Sequence, residues 1–249
     1  MNILDVRELS KSFGGVRAVR GVGFSVAAGE LLAMIGPNGA GKTTCFNLIN
    51  GQLLPDAGEI FFQDRKIHGL PPRGLCRLGV GRTFQVAATF GSMTVRENVQ
   101  VAVLAHERKL GSLVSSLQKS SVQTARTILA QTRIDAQADR PCAELAYGDL
   151  KRVEFAIALA GRPRLLLMDE PTAGMAAGER HALMALVKSI AKEEGISVLF
   201  TEHDMDVVFQ YADRVIVLSE GELIAQGTPI DVRADPRVRS VYLGEDAHA

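Results

Sequence analysis

The chain has 249 residues, of which 47% are hydrophobic, and its 28 basic residues balance its 28 acidic residues. That length suits one large globular domain, or a domain with a small lobe, and the balanced charge gives no reason to expect a nucleic acid or an anionic membrane surface as partner. No apolar run approaches the roughly 18 residues that span a bilayer. The N-terminal stretch MNILDVRELSKSFGG also lacks the apolar core of a signal peptide. We therefore expect the chain to be cytoplasmic unless a partner holds it at a membrane.

The cysteines and histidines show no metal-site spacing. Cys45, Cys76 and Cys142 form no CxxC pair, so we expect reduced and mostly buried thiols. The five histidines show no HExxH or similar pattern, and a bound transition metal is therefore not expected.

The first part of the chain alternates short apolar runs with turns. ILDVREL, VGFSV and LLAMI are predicted strands, and a glycine-rich loop follows the third of them. A helix is predicted over about 42–49, ended near Gly51, and a further strand over 58–63. This order favours a mixed sheet edge built onto a β–loop–helix unit.

The middle of the chain changes to helical patterns. Thr94 and Glu97 have the spacing of a capping box at the start of TVRENVQVAVLAH. The run from Leu110 to Asp139 is rich in Ser, Gln and Ala and has no strand pattern. A further helix is predicted in DLKRVEFAIALAGRP, ended by its glycine and proline. Together these segments predict a helical lobe.

The last third returns to alternating strands and helices. RLLLMDE and SVLFTEH read as short buried strands, and DRVIVLSEGELIAQG as a hairpin turning at Glu220-Gly221. The helix ERHALMALVKSIAKEEG, ended by Gly195, places four apolar side chains on one face: Leu183, Leu186, Val187 and Ile190. Apolar strands that alternate with amphipathic helices predict an α/β fold with a largely parallel sheet.

The glycine-rich loop carries the strongest chemical signal. Residues 36–43, GPNGAGKT, fit the pattern GxxxxGK[ST] between a strand and a helix, which is the context of a phosphate-binding loop. Glycines let backbone N–H groups approach phosphate oxygens, and the helix N-terminus favours negative charge. The alternative is a plain glycine turn with a surface lysine. The predicted phosphate-binding residues are Gly36, Pro37, Asn38, Gly39, Ala40, Gly41, Lys42, Thr43 and Thr44.

Two carboxylates at the end of a predicted strand complement this loop. Asp169 is predicted to hold Mg²⁺, together with the hydroxyl of Thr43, and Glu170 to act as general base or to orient water. Lys42 is predicted to reach the β- and γ-phosphates of a bound nucleotide. An ordinary solvated pair of acidic residues at a strand end is the alternative.

Six segments in order make the chain resemble an ATP-binding-cassette (ABC) ATPase over nearly its whole length. They are Phe13, the phosphate loop, Gln85 in GRTFQ, LAYGD at 145–149, LLLMDE, and His203 in TEHD. The resemblance implies a P-loop NTPase core with a mixed sheet, an N-terminal antiparallel β subdomain and an inserted helical subdomain. It implies one ABC domain over residues 1–249, with the helical subdomain at about 87–160 and a C-terminal tail at about 229–249.

The resemblance also implies roles for single residues. Phe13 would stack on adenine, although a core phenylalanine is the alternative. Gln85 would join Mg²⁺ and the attacking water to a mobile loop, with a solvated loop residue as the alternative. His203 would contact the γ-phosphate, and residues 171–175, PTAGM, would bridge two subunits.

LAYGD occupies the place of the segment that binds the ATP of a facing subunit. The family's common form is LSGGQ, so Ala146 replaces a serine and one hydroxyl donor to phosphate is missing. A hydrogen bond to a charged group contributes about 1.5–3 kcal/mol, so weaker nucleotide binding or slower turnover is one possible outcome. Asp149 is expected to cap the following helix. The predicted binding residues here are Leu145, Ala146, Tyr147, Gly148 and Asp149.

Longer strings such as LAYGDLKRVEFAIALA and DPRVRSVYLGED resemble the ATPase subunits of branched-chain amino-acid importers. This branch implies ATP and Mg²⁺, a second ABC ATPase subunit, integral-membrane permease subunits and, indirectly, a solute-binding protein. It places the chain peripherally on the cytoplasmic side of the inner membrane, with VAATFGSMTV in the groove that receives a permease helix. The alternatives are a lipopolysaccharide-export ATPase, a non-transport cassette acting on ribosomes or DNA, and a nucleotide sensor that hardly hydrolyses ATP. Neutral charge argues against nucleic acid.

Overall fold

A computed structural model describes residues 1–83, 89–107 and 115–243 of the chain. Gln85, and most of the first half of VAATFGSMTV, lie outside the described residues. No helix within the described ranges is both long enough and apolar enough to cross a membrane.

Ten strands form two sheets within the described residues. Their bounds are β1 Asn2–Phe13, β2 Val16–Ala27, β3 Leu31–Ile35, β4 Ala57–Phe62, β5 Arg65–Lys66, β6 Val80–Thr83, β7 Leu165–Asp169, β8 Ser197–Thr201, β9 Arg214–Ser219 and β10 Glu222–Gly227. One sheet is antiparallel, in the order β2-β1-β4-β5. The other has the order β10-β9-β3-β8-β7-β6, and only β10 in it runs antiparallel to its neighbour. The predicted α/β fold with a mixed sheet and an antiparallel N-terminal sheet is confirmed.

The described part of the chain contains nine α-helices, of which the last two follow β10. They are α1 Lys42–Ile49, α2 Pro72–Leu78, α3 Val95–His106, α4 Ser115–Gln131, α5 Tyr147–Ala160, α6 Ala177–Glu194, α7 Met205–Tyr211, α8 Pro229–Ala234 and α9 Pro236–Leu243. Helices α3, α4 and α5 come between β6 and β7, within the segment for which the sequence predicts a helical subdomain. Helix α1 has the predicted bounds.

The helix ends follow local chemistry in most places. The capping box of Thr94 and Glu97 is confirmed, since the Thr94 hydroxyl accepts from the Glu97 N–H at 3.2 Å and the Glu97 carboxylate accepts from the Thr94 N–H at 2.8 Å. The prediction that Asp149 caps α5 is wrong. Helix α5 begins at Tyr147, after Ala146 in extended backbone, so Asp149 lies within the first turn. Its carboxylate still complements the positive end of the helix dipole.

The six-stranded sheet is the middle layer, and successive side chains of each strand alternate between two cores. On β3, Leu32 and Met34 pack with the antiparallel sheet and α1. Leu31, Ala33 and Ile35 pack with α3 to α7 on the other face. These apolar faces hold the sheet between the two groups of elements.

The carboxyl ends of three parallel strands meet at one edge of this sheet. Thr201 at the end of β8 is level with Met34 of β3 and with Asp169 of β7. The loop after β3, the residue after Asp169 and the residues after Thr201 therefore emerge side by side. In parallel α/β sheets this edge is where ligands bind.

Candidate active site

A cleft of about 310 Å³ opens at this edge. The structure brings three predicted parts of the site to it: the phosphate loop, Glu170 and His203. The lining residues are Ala18, Asn38, Gly39, Ala40, Gly41, Lys42, Thr43, Thr44, Glu170 and His203.

Two glycines of the loop lie where no side chain fits. Gly41 has a φ of 99°, and a Cβ there would lie 2.4 Å from the carbonyl oxygen of Ala18. A Cβ on Gly36 would lie 2.1 Å from the carbonyl oxygen of Leu218. The loop therefore runs in close contact with β2 and β9, which fixes its position above the sheet.

The start of α1, which is the positive end of the helix dipole, faces the cleft without a capping or acidic side chain. Gly41 provides no side-chain cap, and the first turn of α1 contains no acidic residue. Lys42 is only 7% exposed, so it is not the surface lysine of a plain turn. Its ammonium group donates to the carbonyl oxygens of Gly36, at 2.6 Å, and Pro37, at 3.0 Å. The backbone N–H groups at the start of α1 and the ammonium group of Lys42 suit an anionic ligand such as phosphate.

Glu170 and His203 form a pair in the same cleft. The Nε2 atom of His203 lies 2.9 Å from Oε1 of Glu170. A carboxylate only accepts hydrogen bonds, so the proton of this bond belongs to Nε2. Glu170 has a φ of 48°, in the left-handed region that non-glycine residues rarely adopt. Its N–H donates to the hydroxyl of Thr201 at 3.0 Å, which holds this backbone in place.

Asp169 is 4% exposed, and both of its carboxylate oxygens have protein partners. The Thr201 hydroxyl donates to Oδ1 at 2.8 Å, and Nη2 of Arg82 lies 3.3 Å from Oδ2. The other terminal nitrogen of Arg82 donates to Asn47 at 3.0 Å and to Gln52 at 2.9 Å. Burial lowers the pKa of Arg82, and the neighbouring Asp169 opposes that shift. The arginine thus links Asp169 to the end of α1.

Two predicted ligands of the nucleotide are not placed in the cleft by the structure. Phe13 is 47% exposed at the end of β1 and does not line the cleft, so it is not a core phenylalanine either. The ammonium of Lys11 lies 5.8 Å from the centre of its ring. Gln85 lies outside the described residues.

Residues 145–149 do not line the cleft among the described residues. Ala146, at the start of α5, gives no side-chain cap, so the first N–H groups of this helix lack that partner. Tyr147 is half exposed and lies against Gly174, where an added Cβ would be 3.3 Å from its ring. Gly148 is buried beside the Glu179 carboxylate. Residues 145–149 therefore lie next to the 171–175 segment, away from this chain's own phosphate loop.

Another cleft of the described structure, of about 420 Å³, lies elsewhere. Its lining includes four arginines: Arg65, Arg77, Arg162 and Arg164. Helices α2, α3 and α5 all end at this cleft. Cations near helix C-termini complement the negative ends of the helix dipoles, which accounts for this basic cluster without a ligand.

Sequence reasoning missed Thr201 and Arg82. Thr201 gave one usable signal, because it is a polar residue that ends an apolar strand, two residues before His203. Arg82 gave none, since its partner Asp169 is 87 residues away.

Comparison with known proteins places this site in a family. The family model described as ABC transporter matches residues 19–173, and one described as Branched-chain amino acid ATP-binding cassette transporter matches residues 222–248. The chain is 38% identical to the high-affinity branched-chain amino acid transport ATP-binding protein BraF of Pseudomonas aeruginosa, over 98% of both chains.

Solved structures agree with that placement. An ATP-binding cassette of an ABC transporter in its ADP conformation has a TM-score of 0.86 and 34% identity, covering 98% of this chain and 99% of that one. A dimeric ATP-binding cassette in a post-hydrolysis state, bound to ADP and Pi, has a TM-score of 0.77 and 26% identity, covering 91% of this chain and 98% of that one. The chain, with its phosphate loop and its Glu170–His203 pair, belongs to the ABC transporter family.

Proposed function

We propose that the chain is the ATP-hydrolysing subunit of a membrane importer for branched-chain or related amino acids. The observation that carries the ATPase part is the Glu170–His203 pair, 2.9 Å apart, in the cleft that also holds Lys42. Likeness to BraF over the full length, together with the C-terminal family match, supports the importer branch. It favours that branch over a lipopolysaccharide-export ATPase and over a non-transport cassette.

The phosphate groups of ATP fit the loop at 36–44. An uncapped helix N-terminus faces the cleft, and the buried Lys42 supplies a cation. In this proposal Lys42 exchanges its contacts with loop carbonyls for contacts with phosphate oxygens. Phe13 stacks on the adenine ring from the exposed end of β1.

Thr43, Gln85 and Asp169 are the residues proposed to hold Mg²⁺. Thr43 lines the cleft, and Asp169 lies one residue before Glu170, buried and fixed by Thr201. When bound, Mg²⁺ neutralises negative charge on the phosphate oxygens. Carboxylate and hydroxyl oxygens are ligands that this ion accepts.

Hydrolysis joins the oxygen of a water molecule to the γ-phosphorus and breaks the bond from that phosphorus to the bridging oxygen of ADP. Glu170 orients the water and takes its proton, which is the part of a general base. His203 holds the Glu170 carboxylate through Nε2 and contacts the γ-phosphate, while Lys42 stabilises the charge on the transferring group.

A second ABC ATPase subunit, identical or homologous, completes this site in the proposal. The lining of the cleft contains no residue of 145–149, while the α5 N-terminus that begins there has no side-chain cap. The dimeric relative supports pairing of two cassettes. Residues 145–149 of one subunit would then close over the γ-phosphate bound by the other.

The remaining proposed partners are integral-membrane permease subunits, which hold the chain peripherally at the cytoplasmic side of the inner membrane, and indirectly a solute-binding protein. A largely apolar groove of about 330 Å³ beside Arg82 is lined in part by Leu75, Cys76 and Val80. Phe90, in VAATFGSMTV, is 59% exposed. An apolar groove suits a packed permease helix, and an exposed aromatic ring offers a further apolar contact.

Two measurements test this function. Purified chain, alone and with its membrane partners, should hydrolyse ATP in a Mg²⁺-dependent manner, and Lys42→Ala should not. Cells that lack the gene should lose uptake of labelled leucine, isoleucine or valine, and regain it with the wild-type gene but not with the Lys42→Ala gene. ATP hydrolysis without any effect on uptake would refute the proposed transport substrate but not the proposed ATPase activity.

A further inference from the structure

Glu202 is a buried carboxylate that faces away from the nucleotide cleft. It is 4% exposed, lies between Thr201 and His203, and is not among the cleft's lining residues. Its Oε1 accepts from the N–H of Thr172 at 3.0 Å and from the hydroxyl of Thr172 at 2.5 Å. Its Oε2 accepts from the N–H of His203 at 3.2 Å. One carboxylate thus joins the 171–175 segment directly to the backbone of His203.

Arg180 makes a second link between the same two segments. Its Nε donates to the carbonyl oxygen of Met175 at 2.8 Å, and its Nη1 pairs with the carboxylate of Asp204. Asp204 in turn caps α7, because its Oδ1 accepts from the N–H groups of Asp206, at 3.0 Å, and Val207, at 3.3 Å. The 171–175 segment and residues 202–204 are therefore connected at both ends.

Packing alone does not require the hydrogen bonds between Glu202 and Thr172. Thr172 is also buried, at 1% exposed, and an apolar pair would fill this space without the cost of removing a carboxylate from water. No ion pair to Glu202 is present in the described ranges, and dipolar N–H and O–H donors hold its charge. Directional bonds of this kind fix the position of the backbone N–H of His203 relative to Thr172.

We propose that Glu202 is a positioning residue, which makes the Glu170–His203 geometry depend on the position of Thr172. The inference rests on the proposed ATPase function and on the proposed contact of 171–175 with a second subunit. A shift of Thr172 on pairing of two subunits passes through Glu202 to the His203 backbone and so to Nε2. The rate of hydrolysis then depends on pairing of the subunits through hydrogen bonds within this chain.

The variants Glu202→Gln and Thr172→Val test the link, with Thr172→Ser as the matched control that keeps the hydroxyl. An amide in place of the carboxylate directs an NH₂ group at an N–H donor, so one of the two connections is lost. We expect kcat to fall on the order of tenfold to a hundredfold, as for a misplaced catalytic group, with the Kd for ATP changed less than about twofold. Thr172→Val should lower kcat in the same direction, and Thr172→Ser should match the wild type.

Two further readouts separate positioning from folding. Nitrogen NMR of labelled histidines, with His203 assigned from a His203→Asn sample, should show a changed His203 signal in both variants without nucleotide. In a His203→Ala background, Glu202→Gln should cause little further loss of kcat, because both changes act through one group. A wild-type chain without ATPase activity would refute the proposed function, while the His203 signal would still decide the inference. An unchanged His203 signal, or an unchanged kcat in a folded Glu202→Gln protein, would overturn the inference.

Discussion

The guanidinium of Arg82 lies 3.3 Å from Oδ2 of Asp169, and the Thr201 hydroxyl lies 2.8 Å from Oδ1 of the same carboxylate. The Asp169 side chain is 3% exposed and that of Arg82 is 14% exposed. Both oxygens of the proposed Mg²⁺ ligand are therefore held by the protein itself. The carboxylate is fixed before a metal arrives, which lowers the cost of ordering it on binding.

Removal of Arg82 should destabilise the fold. Arg82→Met leaves a buried carboxylate with only Thr201 as partner, and an unpaired buried charge of this kind costs about 3 kcal/mol in the free energy of unfolding. Urea denaturation measures the loss. Arg20→Met is the control, because the pair of Arg20 with Glu222 is exposed and 3.8 Å long, and it should cost less than about 1 kcal/mol. Equal stabilities of the two variants would show that the Arg82 pair contributes nothing.

A serine at position 146 should strengthen both the helix and the paired state. Ala146→Ser adds an N-cap to α5, which should raise the free energy of unfolding by about 1 kcal/mol. If the hydroxyl also meets a phosphate of the facing subunit, a bond of about 1.5–3 kcal/mol should strengthen ATP-driven dimerisation by roughly tenfold or more. Sedimentation in a Glu170→Gln background measures this.

Ala176→Ser is the matched control for that experiment. Ala176 is the uncapped N-cap of α6, outside residues 145–149, so its serine variant should gain stability without tighter pairing. If Ala146→Ser likewise raises the stability without strengthening dimerisation, residue 146 does not contact the facing subunit's nucleotide.

The three cysteines should differ sharply in reactivity. Cys45 and Cys142 are buried and Cys76 is exposed. Burial raises the pKa of Cys45 to about 12 and also raises the pKa of Cys142. Since the thiolate is the reactive form, a maleimide at pH 8 should modify one thiol per native chain. Mass spectrometry should find no modification in Cys76→Ser, and labelled Cys45 would contradict the structure.

Labelling of Cys76 also reports on the proposed permease contact, because this residue lines the apolar groove. Assembly with permease subunits should slow labelling of Cys76 by at least about tenfold. The same chain, separated from the membrane by detergent and salt, is the control. Labelling at the same rate in both samples would rule out the groove as the docking face.

The ion pair of Asp204 should make stability depend on pH. Burial alone raises the pKa of Asp204, but hydrogen bonds from Val207 and Arg180 outweigh it and hold the pKa below its ordinary value of 3.8. A lowered carboxyl pKa stabilises the fold above that ordinary value, and the contribution is lost as pH falls through the folded pKa.

Asp204→Asn should therefore be less stable than wild type at pH 7, by about 1 kcal/mol, and the difference should shrink below pH 4. Urea unfolding between pH 3 and 7 measures it. Asp206→Asn is the control, since Asp206 is exposed and makes no ion pair in the described part of the chain. A difference that grows as pH falls would have the wrong sign for this account.

Sequence reasoning succeeded where the determinants are local. The bounds of α1 follow from a glycine loop before it and Gly51 after it, and the capping box of α3 needs only Thr94 and Glu97. It failed at the start of α5, because Ala146 is not a residue type that caps helices and Asp149 is.

The side-chain network around the cleft could not be predicted. Glu202 bonds Thr172 across 30 residues, and Arg82 meets Asp169 across 87 residues. Such partners depend on strand order and register, which a single sequence does not specify to the residue. The order of the motifs indicated that Glu170 and His203 belong to one site, but not that they would form a pair.

The most direct test of the account is single-turnover cleavage of ATP by the wild type and by Glu170→Gln, with Lys42→Ala as the control that should not bind nucleotide. We predict that Glu170→Gln binds ATP with nearly wild-type affinity and dimerises, but cleaves it at least about a hundredfold more slowly. Cleavage by Glu170→Gln at the wild-type rate would contradict the assignment of Glu170 as the group that receives the proton of the attacking water.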